Sequence, residues 1–304
     1  MERTIQSGSR IDDWVIDSNA HLISNGAELK QSRVTAGNLT LNAGTKAQDI
    51  YASQGSQINL NGATVEARSS AQYAINLQGS QMQVNASSVI NKNGVGILAA
   101  RNFMGSNGSS VSVFNSLVQG STQGRNGAAL LVEGDEYGAT EADIQVLNGS
   151  TLTGGNGNIL EVTGGSTANM NVDRSALVGD VVVEDGSSAK VQLNNGSWLT
   201  GQLKNVAELS VNDASHWVLV GDSQVDALKM GGGAVHFGGE DEFYQLNVKS
   251  LEGEGTFIMH TDFATHQTDF LNVEGKAEGQ HSLMLAATGS EMARGEPIKV
   301  VHTE

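Results

Sequence analysis

INLNGATV, Ile58–Val65, alternates two apolar residues, turns at an Asn and small residues, then takes a second apolar step. Alternation buries one face of a short strand, and Asn beside Gly favours a turn. The same phrase returns along the chain. It reads LTLNAGT from Leu39, MQVNASSV from Met82, VSVFNSLV from Val111 and IQVLNGSTL from Ile144. It goes on as MNVDRSAL from Met170, VQLNNGSWL from Val191 and LSVNDASHW from Leu209, with a looser copy, WVIDSNAHL, starting at Trp14. With the second apolar residue as marker, the series is Leu41, Leu60, Val84, Val113, Val146, Val172, Leu193 and Val211. The gaps are 19, 24, 29, 33, 26, 21 and 18 residues. The shortest set the unit at about 19–21 residues, and the longer ones carry insertions.

A repeat of this size cannot build a core alone, but stacked turns can, because each strand pairs with its counterpart in the next coil. Asn42, Asn61, Asn85, Asn194 and Asn212 follow their markers directly, Asp173 takes the same place, and Asn115 and Asn148 come one later. Stacking would line these side chains into a ladder, and their tolerance of left-handed backbone suits the turn. A further strand per unit is read at Tyr73 (YAINL), Gly96 (GIL), Ala128 (AALLV), Ile159 (ILEV) and Val181 (VVV). The fold expected is all-β: a right-handed, three-sided parallel β-helix of about ten coils, roughly 50 Å long at ~4.8 Å per coil, closed by a C-terminal β-rich cap. No stretch sustains the 3.6-residue period of a helical solenoid. The division expected is 1–205 for the coils and 206–304 for the last coils and cap.

Composition agrees. The 304 residues include 38 Gly and a single Pro, and 38% are hydrophobic. The net charge of −16 is uneven: residues 1–150 hold 9 Lys+Arg against 12 Asp+Glu, and 151–304 hold 8 against 21. Such a surface argues against nucleic acid and anionic membranes, which need clustered cations. The absence of Cys excludes disulfides and thiolate chemistry. No apolar run approaches the roughly 20 residues of a helical membrane span, and no signal peptide is visible at Met1.

SLEGEGTFIMHTDFATHQTDFLNVEGKAEGQHSLMLAATGSE, from Ser250, carries Thr261-Asp262-Phe263, Asp269-x-Leu271-x-Val273-x-Gly275 and Gly279-x-His281-x-Leu283. These motifs resemble the C-terminal passenger region of pertactin-like and AIDA-type autotransporters, with Phe263 where Leu is commoner. The close match covers about a third of the chain. The resemblance implies export from a Gram-negative cell, with the passenger tethered only through a C-terminal β-barrel that this chain does not contain. It also implies a right-handed β-helix displayed outside the cell and an autochaperone role for the matched region. Passengers of this kind act mostly as adhesins, self-associating proteins or binders of host factors, and some are proteases or esterases.

Three stretches look like chemistry. His260, Asp262, His266 and Asp269 crowd ten residues, yet a metal needs three or four convergent ligands. They read instead as turn formers, with Phe263, Leu271 and Val273 as core. WVLVGDSQVD from Trp217 resembles the Gly-Asp-Ser block of GDSL-type esterases, with Ser223 as nucleophile, but no partner Asp-x-x-His follows. GGNGNILEV from Gly154 resembles a calcium nonapeptide with Ile159 where the key Asp belongs. We assign no catalytic, cofactor or metal residue. The candidate ligand-binding positions lie on the longest insertions, 99–108 and 133–142, which follow third strands and should meet at one corner of the stack. They carry Arg101, Phe103, Met104, Asp135, Glu136 and Tyr137, and the neighbouring corner adds Arg125. Arg and aromatics on exposed loops anchor recognition. The function expected is an adhesin of the cell surface, binding a host surface or matrix protein or glycan, or a second copy of itself. A polysaccharide lyase or hydrolase, or a plain structural stalk, are the other readings.

Overall fold

The computed structural model describes residues 1–105, 108–121, 127–288 and 297–303. These are strands and turns without helix, and they divide into two compact units. One comprises Met1–Met170 with Val183–Ser188, the other Asn171–Val182 with Ala189–Glu304.

In the first unit each coil contributes a strand to three parallel sheets. The long face stacks Glu2–Gln6, His21–Asn25, Asn38–Asn42, Gln57–Asn61, Gln81–Asn85, Gly108–Phe114 and Glu141–Leu147. The short face runs from Glu28–Leu29 through Lys46–Ala47, Thr64–Glu66, Ser88–Ile90 and Leu117–Gln119 to Thr151–Thr153. The third face holds Trp14–Asp17, Ser32–Thr35, Ile50–Ser53, Tyr73–Gln78, Val95–Ala100, Leu130–Glu133 and Asn158–Thr163. This is a three-sided parallel β-helix. The repeat markers pair with one another, Leu41 with Leu60, Val84 with Leu60 and Val113, and Val113 with Val146. All five are fully buried, each such side chain worth about 1.5–3 kcal/mol.

Two details of the repeat differ from the sequence reading. WVIDSNAHL is out of frame: Trp14–Asp17 lies on the third face, and HLISN at His21 is the long-face strand, Leu22 pairing with Leu39. Trp14 supplied the apolar alternation without the Asn that closes a long-face strand. Second, the Asn that directly follows its marker is not the left-handed residue. Asn42 Nδ2 donates to Asn25 Oδ1 at 2.7 Å, Asn61 to Asn42 at 3.2 Å and Asn85 to Asn61 at 3.1 Å. The positive φ falls one position after Asn61 and Asn85, at Gly62 (71°) and Ala86 (46°), and two after Asn42, at Gly44 (80°), while Asn115 (46°) and Asn148 (50°) take the left-handed turn themselves. The ladder amide therefore stays extended to reach its neighbour, while a following residue turns the chain.

A second ladder runs inside the turns. Ala63 N–H donates to Ser87 Oγ at 3.0 Å, Ser87 N–H to Ser116 Oγ at 3.0 Å, and Ser116 N–H to Ser150 Oγ at 3.3 Å. Each hydroxyl in turn donates to a carbonyl, as Ser116 does to Phe114 at 2.7 Å. Buried turn amides that no strand can pair are satisfied this way.

The second unit keeps the coil but fuses its strands. Ser223–Phe237 pairs through its first part with Val206–Asn212 and through its last part with His216–Leu219, with a register shift between Gly231 and Ala234. Gln245–Asp262 likewise meets Phe270–Val273 and then Gln280–Thr288. Trp217, Phe237, Phe257 and Met259 fill the interior. Gly279 sits at φ 107°, and a Cβ there would lie 1.8 Å from the Gly253 carbonyl oxygen, so only Gly fits that corner.

The three lures resolve locally. Asp262 Oδ1 caps a hairpin turn, accepting Ala264 N–H at 2.7 Å and Thr265 N–H at 3.2 Å. His266 sits in that turn at φ 62°. Asp269, expected as a turn former, is instead fully buried and accepts Tyr244 N–H at 2.8 Å and His260 N–H at 2.7 Å. Leu271 and Val273 are core, but Phe263 is only half-buried because the chain turns at that residue. Ser223 Oγ is buried, accepting Leu203 N–H at 3.2 Å and donating to the Gly221 carbonyl at 3.1 Å, which is the turn-serine role again. Gly154–Gly157 closes a turn, with Ile159 in the core.

Candidate functional site

Strands Val95–Ala100 and Leu130–Glu133 run side by side, Ala99 opposite Val132 and Ala100 opposite Glu133. The residues that leave these strands therefore begin adjacent, and Arg101 and Asp135 fall within reach. Arg101 Nε donates to Asp135 Oδ1 at 2.7 Å. The Arg101 guanidinium carbon lies 4.4 Å from the Phe103 ring centre and 5.6 Å from that of Tyr137. One cation thus joins both loops, held by a carboxylate and flanked by two rings, an arrangement each part of which is attractive.

Both loops are braced from within. Asn102 is buried, its Nδ2 donating to the Met104 carbonyl at 2.8 Å and its Oδ1 accepting Met104 N–H at 3.2 Å. Gln54, from an earlier coil, approaches Met104 Sδ at 3.7 Å. Across the corner, Asp135 and Gly138 exchange backbone hydrogen bonds of 2.9 and 3.1 Å, and Asp135 Oδ1 also takes Tyr137 N–H at 2.9 Å. Phe103, Met104 and Tyr137 are 64%, 70% and 71% exposed, whereas the Arg101 side chain is 15% exposed. Glu136 is exposed beside them. Arg125 lies outside the described residues. Asn102 and Gln54 were missed in the sequence. Only Asn102 offered a signal, since Asn commonly folds its amide onto backbone two residues on.

The Arg101 hydrogen bond holds the Asp135 carboxyl below the ordinary carboxylate range, with the Tyr137 and Gly138 amides adding to it. That is the opposite of a general acid, which needs a raised value. The corner combines fixed polar groups with broad exposed apolar rings.

A different cluster lies in the second unit. Trp198 stacks on His216 with ring centres 4.0 Å apart, and His216 Nδ1 meets His236 Nε2 at 2.8 Å. Burial lowers both imidazoles below 6.5, and for His236 the charges of His216 and His260 add to this. The coil-length spacing of 198, 216 and 236 was the available signal. No group of three or more His, Cys, Asp or Glu that could hold a metal occurs among the described residues.

A stack of parallel coils with loops gathered at one corner is the architecture of a solenoid that presents a surface. Residues 225–304 match the family model described as Pertactin. The chain is 29% identical over 177 residues to the BrkA autotransporter of Bordetella pertussis, covering 55% of this chain and 17% of that protein. It is 40% identical over 105 residues to the autotransporter adhesin/invasin TibA of Escherichia coli, 32% of this chain and 11% of that protein. It is 30% identical over 96 residues to an immunoglobulin A1 protease autotransporter of Haemophilus influenzae, 30% of this chain and 6% of that protein. The chain spans less than a fifth of the length of these relatives. The chain is thus similar to pertactin-like autotransporter passengers, most specifically over its C-terminal residues 225–304.

Proposed function

We propose that this passenger is an adhesin, and that the corner built by 99–105 and 133–142 is where it engages a ligand on a host surface or matrix. The carrying observation is the Arg101 cluster: a cation fixed at 2.7 Å to Asp135 between Phe103 and Tyr137, whose rings face solvent. Rigid aromatics around a buried polar anchor are what binding surfaces use for affinity. The adhesin/invasin named among the similar proteins, at 40% identity against 30% for the protease named there, supports the reading. The ion-paired Asp135 does not suit the general-acid half of a glycosidase pair. Cells displaying the full passenger should attach to host cells or matrix, and deletion of 135–138 should abolish attachment while the thermal transition stays in place. Attachment unchanged by that deletion would refute the proposal.

A further inference from the structure

We propose that the ligand at the Arg101 corner is a neutral glycan, bound by a pyranose ring stacked on Phe103 or Tyr137. This deepens the adhesin reading and rests on it. The argument begins with what each group has left to offer. Arg101 is nearly covered, and its Nε is committed to Asp135. It stiffens the corner more than it advertises charge. Asp135 Oδ1 already accepts Arg101 Nε and Tyr137 N–H. The carboxylate, which also draws on the Gly138 amide, has lone pairs left for a further donor. The rings lie over the guanidinium and are still 64% and 71% exposed. The corner therefore presents flat apolar surface beside a fixed, ionised hydrogen-bond acceptor.

A pyranose matches that pair of features. One face of the ring is a patch of C–H groups, which lies flat on an aromatic ring by dispersion and weak C–H contacts. Its edge carries hydroxyls, which donate well to a carboxylate oxygen held in place. Residues 102–104 are tied by Asn102 and 135–138 by their turn, so fixing the two rings on contact costs less entropy.

Charge selects among glycans. Asp135 is held ionised, and Glu136 is exposed next to it. Farther round the same corner of this unit, Glu184 Oε2 accepts Gly164 N–H at 2.7 Å, and a Cβ on Gly134 would lie 2.2 Å from the Gly164 carbonyl oxygen. The anions thus continue along the corner, on a chain of net charge −16. A sialylated, uronic or sulfated chain would be repelled. A cationic peptide would be drawn to the acids, but the inner faces of both rings already hold Arg101. Neutral sugars match both the rings and the charge.

The test uses the full chain with saturation-transfer NMR and calorimetry. The probes are lactose, N-acetyllactosamine and mannotriose, set against sialyllactose, a heparin hexasaccharide and a Lys-rich peptide. The expected result is saturation transfer to at least one neutral sugar, with binding at least tenfold weaker for its sialylated form. Phe103→Leu with Tyr137→Leu keeps apolar bulk beside Arg101 but removes the flat rings, and should abolish the transfer with the circular dichroism melt unchanged. Asp135→Asn should weaken binding about tenfold, the step expected for losing a hydrogen bond to a charged acceptor. Binding that favours sialyllactose, heparin or the peptide overturns the proposal, as does neutral-sugar binding that survives the double Leu variant. No transfer to any neutral probe overturns it too. If attachment is nevertheless lost on deleting 135–138, the adhesin reading stands and only the ligand class is wrong; if attachment survives that deletion, the adhesin reading falls with it.

Discussion

Asp269→Ala should loosen the second unit without touching the first. The Asp269 side chain is fully buried, with Oδ1 on Tyr244 N–H at 2.8 Å and Oδ2 on His260 N–H at 2.7 Å. His260 Nδ1 adds a contact at 3.3 Å and also lies 3.0 Å from the Phe237 carbonyl, which requires the proton on Nδ1. Truncation strands two backbone donors, each costing about 1–3 kcal/mol when buried without a partner. Removing the buried carboxylate recovers part of that, leaving a net loss of about 3 kcal/mol. Asp269→Asn keeps one acceptor but turns an amide donor toward another donor, so about 2 kcal/mol is expected. Burial holds the Asp269 carboxyl above 3.8, against the pull of the two amides and His260. The folded chain then keeps this proton more tightly than the unfolded chain. Its contribution is whole below 3.8 and shrinks as pH rises through the raised value. Asn cannot ionise, so the deficit of Asp269→Asn should be largest in acid and narrow toward neutral pH. Urea denaturation of both variants from pH 3 to 7, with hydrogen exchange read at the Tyr244 and His260 amides, tests each step. A loss below about 0.5 kcal/mol for Asp269→Ala, or unchanged protection at both amides, refutes the clamp, because a stranded buried donor cannot be that cheap.

The turn serines should behave alike: Ser116→Ala and Ser197→Ala each remove an acceptor from a buried turn amide, and denaturant midpoints should report about 1–3 kcal/mol for each. His216 and His236 sit below 6.5 in the folded chain, so unfolding takes up protons and stability should fall as pH drops through 6.5; melting curves of His216→Gln/His236→Gln should be flatter over that window. Arg101→Ala should let the Asp135 carboxyl rise toward its ordinary 3.8, read by NMR titration, with little change in the melt. Gly279→Ala places a Cβ 1.8 Å from the Gly253 oxygen at a φ of 107°, and limited proteolysis should find the C-terminal strands open, consistent with strain of about 3 kcal/mol or more.

The marker series was legible because it combines two signals that one residue class carries at once. An aliphatic side chain at Leu41 or Val113 both fills the interior and sets the register, so position alone revealed the pairing. The serine ladder carried no such signal. Ser87, Ser116 and Ser150 look like ordinary turn residues, and their role exists only when the next coil places an amide above each hydroxyl. WVIDSNAHL misled for the converse reason: an apolar alternation suits any face of the coil, and only the Asn ladder distinguishes the long one. The HTDFATHQTDFLNVEG stretch shows the same limit in one place. Its family resemblance was readable, but Asp262 and Asp269, alike in sequence, became a half-buried turn cap and a buried clamp.

At the candidate corner, the meeting of the two insertions was legible because equal positions on neighbouring coils must stack. What sequence could not supply was the order within the meeting. Arg101, Phe103, Asp135 and Tyr137 would stand equally close if Arg101 pointed outward with the rings tucked beneath it, and that corner would attract anions. The structure inverts it. Arg101 lies beneath and the rings outside, because Asp135 accepts both the guanidinium and the Tyr137 amide and so ties the cation to the tight turn. The surface left for a ligand is aromatic and weakly acidic rather than cationic. That inversion changes the class of molecule the corner can bind, since the same four residues stacked the other way would favour sulfated or sialylated chains.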